Sequence, residues 1–285
     1  MNISTFSLVA RDPDTGHLAV AGTSNGFAYG SIVPHIEAGV GAIATQAAVN
    51  LNYAAEGMLE LRERRSAPDT MVHLLKDDPD PNGKYQLIIL DNEGNTACHT
   101  GQSTYDYKGH ISKKNLALAG NTLVGEETLN AIVSSFESSD SPFALRVIKA
   151  LQAGHEAGGD IRGSKSAAIK IVRGERTDKF WEGVLLDLRT DDNENPLVKL
   201  ENLYILSEAN RYVNKGWDTS SAPVKALEYF LKALELDPEN PEYMLWAAKT
   251  YKTLGNDAEA ELLLAVVKNY PGHWMEYWER LEKNA

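Results

Sequence analysis

Residues 4–22 read STFSLVARDPDTGHLAVAG. Two apolar stretches, 5–11 and 17–23, flank a Pro-Asp-Thr-Gly turn at residues 13–16. Short apolar runs on either side of such a turn are typical of a β-hairpin. This segment is therefore predicted to form two antiparallel strands, the first of which opens on a threonine.

Strand pairs and helix pairs alternate after this hairpin. Further strands are predicted at residues 39–45, 85–91, 96–100, 115–119, 166–172 and 184–188. Helices are predicted at residues 50–65, 68–78, 126–136, 142–157 and 196–206. Hairpins with helices grouped in pairs fit two packed antiparallel sheets better than a parallel sheet with single crossovers. The expected fold class is α+β, with a four-layer αββα sandwich over residues 1–206.

Residues 207–285 are helical in pattern and contain a repeat. The positions Ala226, Phe230 and Ala233 recur 34 residues later as Ala260, Leu264 and Val267. Small and aromatic positions at this period resemble the tetratricopeptide repeat. The first unit is irregular, because Val213-Asn214 stands where the repeat has Leu-Gly. We predict a small all-α domain of about two repeats.

Composition limits the classes of function. The chain has 285 residues, 43% of them hydrophobic and 24% charged, as in a globular protein with a full core. Its net charge of -12 argues against nucleic-acid binding, which needs a clustered basic surface. The basic run Arg62-Glu63-Arg64-Arg65 falls at the end of a predicted helix, where cations complement the helix dipole. The single cysteine, Cys98, excludes an internal disulfide and is predicted to be a buried thiol.

Neither a metal nor a cofactor is expected. The seven histidines show no HxH or HExxH spacing. The acidic clusters at residues 77–80 and 191–195 lack the spacing of an EF-hand, so solvated loops are expected there. No leader peptide and no run of about 18 apolar residues is recognisable, so a cytoplasmic protein is expected.

Five segments carry a resemblance to a known family. They are the hairpin at 4–22, GVGAIATQA at 39–47, AGNTLVG at 119–125, GGDIRGSKSAA at 158–168 and DLR at 187–189. Through them the chain resembles the bacterial family called domain of unknown function 1028, which is assigned to the N-terminal-nucleophile hydrolases. The resemblance covers about residues 4–206 and implies the same four-layer sandwich. It implies no particular reaction, because the family has no settled one.

The resemblance makes Thr5 the expected nucleophile. An amino-terminal threonine supplies nucleophile and base together, because its own α-amine, with a pKa of about 8, accepts the hydroxyl proton. Residues 1–4 must first be removed, which requires autocatalytic cleavage of the Ser4–Thr5 bond. Two helpers known from proteasome subunits have no counterpart: residues 39–45 contain no lysine, and Gly22-Thr23-Ser24 replaces an expected acidic residue.

Polar residues beside glycines at strand ends complete the predicted site. Asn121, with nearby backbone amides, is expected to bind the oxyanion of the tetrahedral intermediate. The expected substrate-binding residues are Thr23, Ser24, Thr45, Gln46, Asp160 and Arg162. Structural interpretations stay open: Thr45 and Gln46 also suit a strand end, Asn121 a left-handed turn, and the Asp160–Arg162 pair a pinned loop.

Two functional hypotheses follow from the sequence. The first is a hydrolase that cleaves a small amide or peptide substrate. The alternative is a non-catalytic protein that binds a small ligand or acts as a scaffold, with an intact chain and with helical repeats that recruit a protein partner. A homo-oligomer is expected by analogy with related sandwich hydrolases, and neither nucleic acid nor membrane is an expected partner.

Overall fold

This computed structural model describes residues 2–3, 5–76 and 78–283. Ser4, at the predicted cleavage site, and Asp77, in the first acidic cluster, lie outside the described residues. The chain divides into two compact units, Met1–Glu201 and Asn202–Ala285. The division precedes the predicted domain boundary at 206/207, which stays a prediction.

The first unit contains two antiparallel sheets. Its strands are β1 (Asn2–Ile3), β2 (Thr5–Arg11), β3 (Leu18–Ser24), β4 (Pro34–Glu37), β5 (Gly41–Ala48), β6 (Tyr85–Asp91), β7 (Thr96–Thr100), β8 (Gly109–Lys113), β9 (Leu116–Gly120), β10 (Ser166–Val172) and β11 (Val184–Thr190). In sheet A, β5 pairs with β6 and β6 with β7, while β1 and β4 both pair with β5. Sheet B has the order β11-β10-β3-β2-β9-β8. The opening hairpin thus forms the middle of sheet B.

Helices cover both sheets. They are α1 (Leu51–Arg62), α2 (Ala67–Lys76), α3 (Glu127–Ser138) and α4 (Phe143–Glu156). Helix α5 (Pro196–Asp218) follows β11 and continues into the second unit. Helices α1 and α2 pack on sheet A, with Met58 and Leu74 against Ile43 and Leu87. Helix α3 contacts β8 and β9, and α4 contacts β3 and β10. The layers run helices, sheet A, sheet B, helices, which confirms the predicted αββα sandwich.

Small and β-branched residues fill most of the space between the sheets. This core includes Val9, Val20, Ala42, Ala44, Ile88, Leu90, Ala117 and Ala119. The alternate positions of sheet A, such as Ile43 and Ile89, face α1 and α2 instead. Because successive side chains of a strand point to opposite faces, strands buried on both faces read as nearly continuous apolar runs.

Some elements differ from the sequence prediction, among them the two-residue strand β1, which was not predicted. Strands β4 and β8 were not predicted, because PHIE is short and GHISK is largely polar and exposed, so neither shows an apolar run. Helix α5 extends to Asp218 rather than ending at Leu206, since no proline or glycine interrupts the pattern before Gly216. Although α5 has 23 residues, neither it nor any other helix in the described part of the chain is apolar enough to span a membrane.

The second unit consists of helices. They are α6 (Pro223–Leu236), α7 (Pro241–Thr253), α8 (Asp257–Val267), α9 (Trp274–Lys283) and the last part of α5. The predicted repeat positions are buried in two adjoining clusters, Ala226, Phe230 and Ala233 in one and Ala260, Leu264 and Val267 in the other. Gly216 lets α5 approach α6, because a Cβ there would lie 2.5 Å from the Phe230 ring. The repeat positions are therefore core positions.

The substitution Gly22→Ala tests how closely the opening hairpin is packed. A Cβ on Gly22 would lie 2.4 Å from the Tyr29 hydroxyl oxygen and 2.7 Å from the Phe6 carbonyl oxygen. Since neither group can move without opening the core, Gly22→Ala should lower the free energy of unfolding by about 2–3 kcal/mol, measured by urea denaturation. The control Gly125→Ala meets only the flexible Glu127 side chain and should change it by less than about 0.5 kcal/mol. Equal effects of the two substitutions would contradict this packing.

Candidate functional site

A row of buried polar side chains crosses the space between the sheets at the end where β2 begins. It consists of Ser7 of β2, Tyr29 after β3, Gln46 of β5, Gln86 of β6 and Asn121 after β9, and we call it the polar row. None of the five is more than 1% exposed. They occupy positions that elsewhere between the sheets hold valine, alanine, isoleucine or leucine. Polar groups buried this deeply require hydrogen-bond partners.

Gln86 makes the central contacts of the polar row. Its Oε1 accepts hydrogen bonds from Gln46 Nε2 at 2.9 Å and from Asn121 Nδ2 at 2.8 Å. Its Nε2 donates to the Gly120 carbonyl oxygen at 2.8 Å and to Thr100 Oγ1 at 3.0 Å. Because Gly120 belongs to sheet B and Thr100 to sheet A, this one side chain ties the two sheets together.

The other side-chain hydrogen bonds of the polar row form a chain in which each side chain donates to the next. Tyr29 O–H donates to Ser7 Oγ at 2.9 Å, and Ser7 O–H donates to Gln46 Oε1 at 2.5 Å. Gln46 Nε2 donates to the Ala119 carbonyl at 3.1 Å as well as to Gln86. Burial raises the pKa of Tyr29, so its phenol stays a protonated donor.

Thr5 adjoins the polar row. It is wholly buried at the first position of β2, and its carbonyl oxygen accepts the backbone N–H of Asn121 at 3.0 Å. Gln46 Nε2 lies 3.5 Å from the same oxygen. The Thr5 hydroxyl donates to the backbone carbonyl of Thr23. In the intact chain the nitrogen of Thr5 is part of a peptide bond with Ser4.

The glycine-rich loop 158–165 lies at the same end of sheet B. Its backbone N–H groups donate to the carbonyls of Ser24 and Thr122 at 2.8 and 3.0 Å. Within the loop, the buried Asp160 carboxylate accepts bonds from Arg162 Nε at 3.0 Å and Nη2 at 2.7 Å. The bond to Asp160 raises the pKa of the Arg162 guanidinium. The loop therefore brings a fixed ion pair to the strand ends beside Thr5.

The other predicted site residues, Thr23, Ser24 and Thr45, make hydrogen bonds outside the polar row. Thr23 Oγ1 donates to a carbonyl of β10 at 2.8 Å, and Ser24 Oγ accepts an N–H from the following turn at 2.8 Å. Thr45 Oγ1 accepts the N–H of Asn50 at 3.2 Å, just before α1. Since neighbours on a strand point to opposite faces, Thr45 does not share the polar row with Gln46. The structure thus brings together Thr5, Gln46 and Asn121, and their roles in catalysis and binding stay predictions.

Three members of the polar row, Ser7, Tyr29 and Gln86, were not proposed from the sequence. For Gln86 and Ser7, the alternation of residues along the strand contains a signal that could have identified them. In YQLIILD at residues 85–91, Gln86 shares the phase of Ile88 and Leu90, which face the other sheet. Ser7 shares the phase of Val9 in the same way. A polar residue on the buried phase of an apolar strand therefore marks a site of obligatory hydrogen bonding.

Neither of two sizeable pockets borders the polar row. Their volumes are about 460 and 250 Å³, and their walls include Glu37, Gly39 and Asp91, at the opposite end of sheet A. Within residues 2–3, 5–76 and 78–283, no group of three or more His, Cys, Asp or Glu side chains is placed to hold a metal ion. What the polar row offers chemically is hydrogen-bond donors and acceptors.

The chain matches one family model over most of its length. A model described as a family of unknown function, DUF1028, matches residues 5–200, which is 196 of the 285 residues. The chain belongs to the DUF1028 family. A tetratricopeptide repeat model matches residues 220–282, which confirms the predicted repeat in the helical unit. None of the curated proteins matches this DUF1028 chain.

One of three similar solved structures agrees with the family assignment. Protein SPO2555 from Silicibacter pomeroyi, described as DUF1028, is 30% identical, with a TM-score of 0.63 and coverage of 70% of this chain and 88% of its own. HslV from Trypanosoma brucei is 13% identical, with a TM-score of 0.44 and coverage of 59% and 99%. Anbu from Yersinia bercovieri is 11% identical, with a TM-score of 0.33 and coverage of 70% and 93%. The TM-scores of HslV and Anbu are too low to support the fold assignment, which rests on the layers of this DUF1028 chain.

Gln86→Ala tests the polar row of this DUF1028 chain. The substitution removes the acceptor of two buried amides, on Gln46 and Asn121, and leaves a cavity between the sheets. We expect the free energy of unfolding, measured by urea denaturation, to fall by about 3–5 kcal/mol. Gln102→Ala, at an exposed position, is the matched control and should have little effect. A loss at Gln86 no larger than at Gln102 would show that the polar row does not hold the sheets together.

Proposed function

We propose that this chain is the precursor of an N-terminal-nucleophile hydrolase that cleaves a small amide or peptide substrate, with Thr5 as nucleophile. The observation that carries the proposal is the position of Thr5. It opens a central strand of the sandwich, and its carbonyl is bonded to Asn121 beside a row of side-chain amides. Membership of the DUF1028 family and the four-layer sandwich support the same class.

The proposed reaction needs only Thr5 and hydrogen-bond donors. Thr5 Oγ attacks the substrate carbonyl carbon while the freed α-amine takes the hydroxyl proton. The C–N bond then breaks, the proton passes to the leaving amine, and water hydrolyses the threonine ester to regenerate the hydroxyl. Asn121 and nearby backbone N–H groups donate to the oxyanion of the tetrahedral intermediate.

Processing would remove little of the fold. Asn2 and Ile3 pair with Ala48 and Ala47 of sheet A, whereas Thr5 opens a strand of sheet B. In the proposed cleavage, Thr5 Oγ attacks the Ser4 carbonyl carbon, the Ser4–Thr5 C–N bond breaks to give an ester, and water releases residues 1–4. Of the described residues 2–3, cleavage removes the pairing with β5, and β2 stays complete.

Substrate contacts are assigned to the groups around the same strand ends. Gln46, Thr23 and Ser24 line the start of β2 and the end of β3, and the Asp160–Arg162 pair lies on the adjoining loop. The Arg162 side chain is 44% exposed, which suits a contact with an anionic part of a substrate. Thr45 is omitted because it lies on the face of β5 opposite to Gln46.

The helical unit is proposed to recruit a protein partner. The tetratricopeptide match supports this, as does a stack of Tyr212 and Tyr229 with ring centroids 6.4 Å apart. Lys215 lies 5.4 and 5.9 Å from the two ring centroids, so the surface combines aromatic faces with positive charge. A homo-oligomer and a cytoplasmic location, which suits a chain with one cysteine, are part of the same proposal.

One observation favours the alternative of a non-catalytic ligand-binding or scaffold protein. The Thr5 hydroxyl is bonded to the Thr23 carbonyl and is wholly buried, as in a purely structural threonine. The two functions differ in whether the Ser4–Thr5 bond is ever cleaved.

Intact-mass spectrometry of purified protein, followed during incubation, distinguishes these functions. We expect the wild-type protein to lose the mass of residues 1–4 and Thr5→Ala to stay whole, because alanine has no hydroxyl to attack the Ser4 carbonyl. Thr5→Ser keeps a hydroxyl and should be processed. Cleaved protein is then assayed on small amide substrates.

The proposal fails if wild-type and Thr5→Ala proteins both stay whole, and the non-catalytic function then takes its place. Equal cleavage of the two would indicate a contaminating protease and would equally remove Thr5 as the self-processing residue. Circular dichroism of Thr5→Ala serves as the folding control.

A further inference from the structure

A cleft lined by arginines lies at the end of the sandwich opposite the polar row. Its volume is about 250 Å³, and its walls include Arg64, Arg65, Asp91, Asn92, Glu93 and Arg176. We call it the arginine cleft. It opens beside the pair Gly41–Asp91, five residues along the strands from the pair Gln46–Gln86, which is about 17 Å. It is therefore separate from the proposed hydrolase site.

Two of its arginines have no acidic partner. Arg65 is ion-paired with Glu60. In the part of the chain that the structure describes, no carboxylate pairs with Arg64 or Arg176, and Arg176 Nη2 donates to the Arg62 carbonyl at 2.6 Å. Two arginines without an ion pair to a described carboxylate thus line the same cleft, in a chain whose net charge is -12.

The carboxylates in the walls are engaged away from Arg64 and Arg176. Asp91 is buried, and its oxygens accept backbone N–H bonds from Ala67 at 3.0 Å, Glu93 at 3.1 Å and Asn95 at 2.8 Å. The Glu93 side chain is exposed to solvent, like the two arginines. Both guanidinium groups therefore keep N–H donors for a ligand.

Arg64 occupies a backbone position at which glycine is usual. Arg64 has a φ of 64° and follows the end of α1, where its N–H donates to the Leu61 carbonyl at 3.0 Å. The N–H of Arg65 donates to the Glu60 carbonyl at 3.1 Å, which completes a Schellman motif. Glycine is the usual residue at this left-handed position, because a side chain there is disfavoured. Arg62 already places a cation in the last turn of α1, so the helix dipole does not require another at residue 64.

The Asn92 side chain indicates a second group, a hydrogen-bond donor, on a ligand of the arginine cleft. Its Oδ1 is buried and accepts no hydrogen bond from any described residue. A ligand with a hydroxyl or N–H group beside its anionic group would donate to this oxygen. A neighbouring pocket of about 460 Å³ shares Arg176, but its other cations, Arg62 and Lys170, are ion-paired with Glu37 and Asp187. The arginine cleft is thus the better candidate for an anion-binding site than this neighbouring pocket.

We propose that the arginine cleft binds a small oxyanionic metabolite through a phosphate or carboxylate group held by Arg64 and Arg176. Guanidinium groups bind both kinds of oxyanion through paired N–H bonds. The volume of about 250 Å³ suits a small molecule. Asn92 accepts a hydrogen bond from a hydroxyl or N–H group of the same ligand.

Calorimetric titration and thermal unfolding test this proposal with two probes, inorganic phosphate and citrate, each at constant ionic strength. The wild-type protein should bind at least one probe and unfold at a higher temperature in its presence. Binding of phosphate alone identifies a phosphorylated ligand, and binding of citrate alone identifies a carboxylate. Either result supports the site.

Substitutions then locate the bound probe. Arg64→Gly and Arg176→Ala should each weaken binding by about tenfold or more. Arg64→Gly should also raise the unfolding temperature without a probe, since glycine suits the left-handed backbone, and this separates lost binding from lost folding. The control Arg211→Ala, which removes an exposed arginine of the helical unit, should bind like wild type.

The proposal is overturned if the wild-type protein binds neither probe. It is equally overturned if Arg64→Gly and Arg176→Ala both bind as tightly as wild type, because the anion then lies elsewhere on the protein.

Discussion

A buried amide must be hydrogen-bonded, and between the two sheets this requirement is met by Gln86. Apolar residues tolerate small sliding of one sheet over the other, because their contacts have no direction. Sliding would break the hydrogen bonds between the amides of Gln46, Gln86 and Asn121, and each unpaired buried amide costs about 1–3 kcal/mol. The polar row therefore fixes the relative position of the two sheets. It also fixes the start of β2, because Asn121 and Gln46 both lie against the Thr5 carbonyl.

The sequence predicted the strands whose apolar runs end at glycine, asparagine or aspartate. Strands 85–91, 96–100 and 166–172 were predicted with the bounds that the structure has. Strand β8 escaped prediction because an edge strand that is exposed to solvent carries polar residues and loses the apolar signal. Local composition thus identified the buried elements and missed those that tertiary pairing alone makes into strands.

The candidate sites show the same limit. Gln46 and Asn121 stand beside glycines or strand ends, a local feature that sequence reasoning can detect. Their common partner Gln86 lies 40 and 35 residues away in the chain, so only the packing of sheet on sheet brings the three together. The basic run at residues 62–65 was interpreted through the helix dipole, which accounts for Arg62. It does not account for Arg64, whose left-handed backbone depends on how α1 ends.

The outer strands of sheet B limit how copies of this chain can associate. The open edges are β11, with Asp187 ion-paired to Lys170, and β8, with Lys113 ion-paired to Glu137. A second copy that extended the sheet across either edge would have to dehydrate one of these ion pairs. Edge-to-edge growth, the route to fibrils and domain-swapped assemblies, is thereby disfavoured. Copies of this chain would therefore associate more readily through surfaces other than the two edges of sheet B.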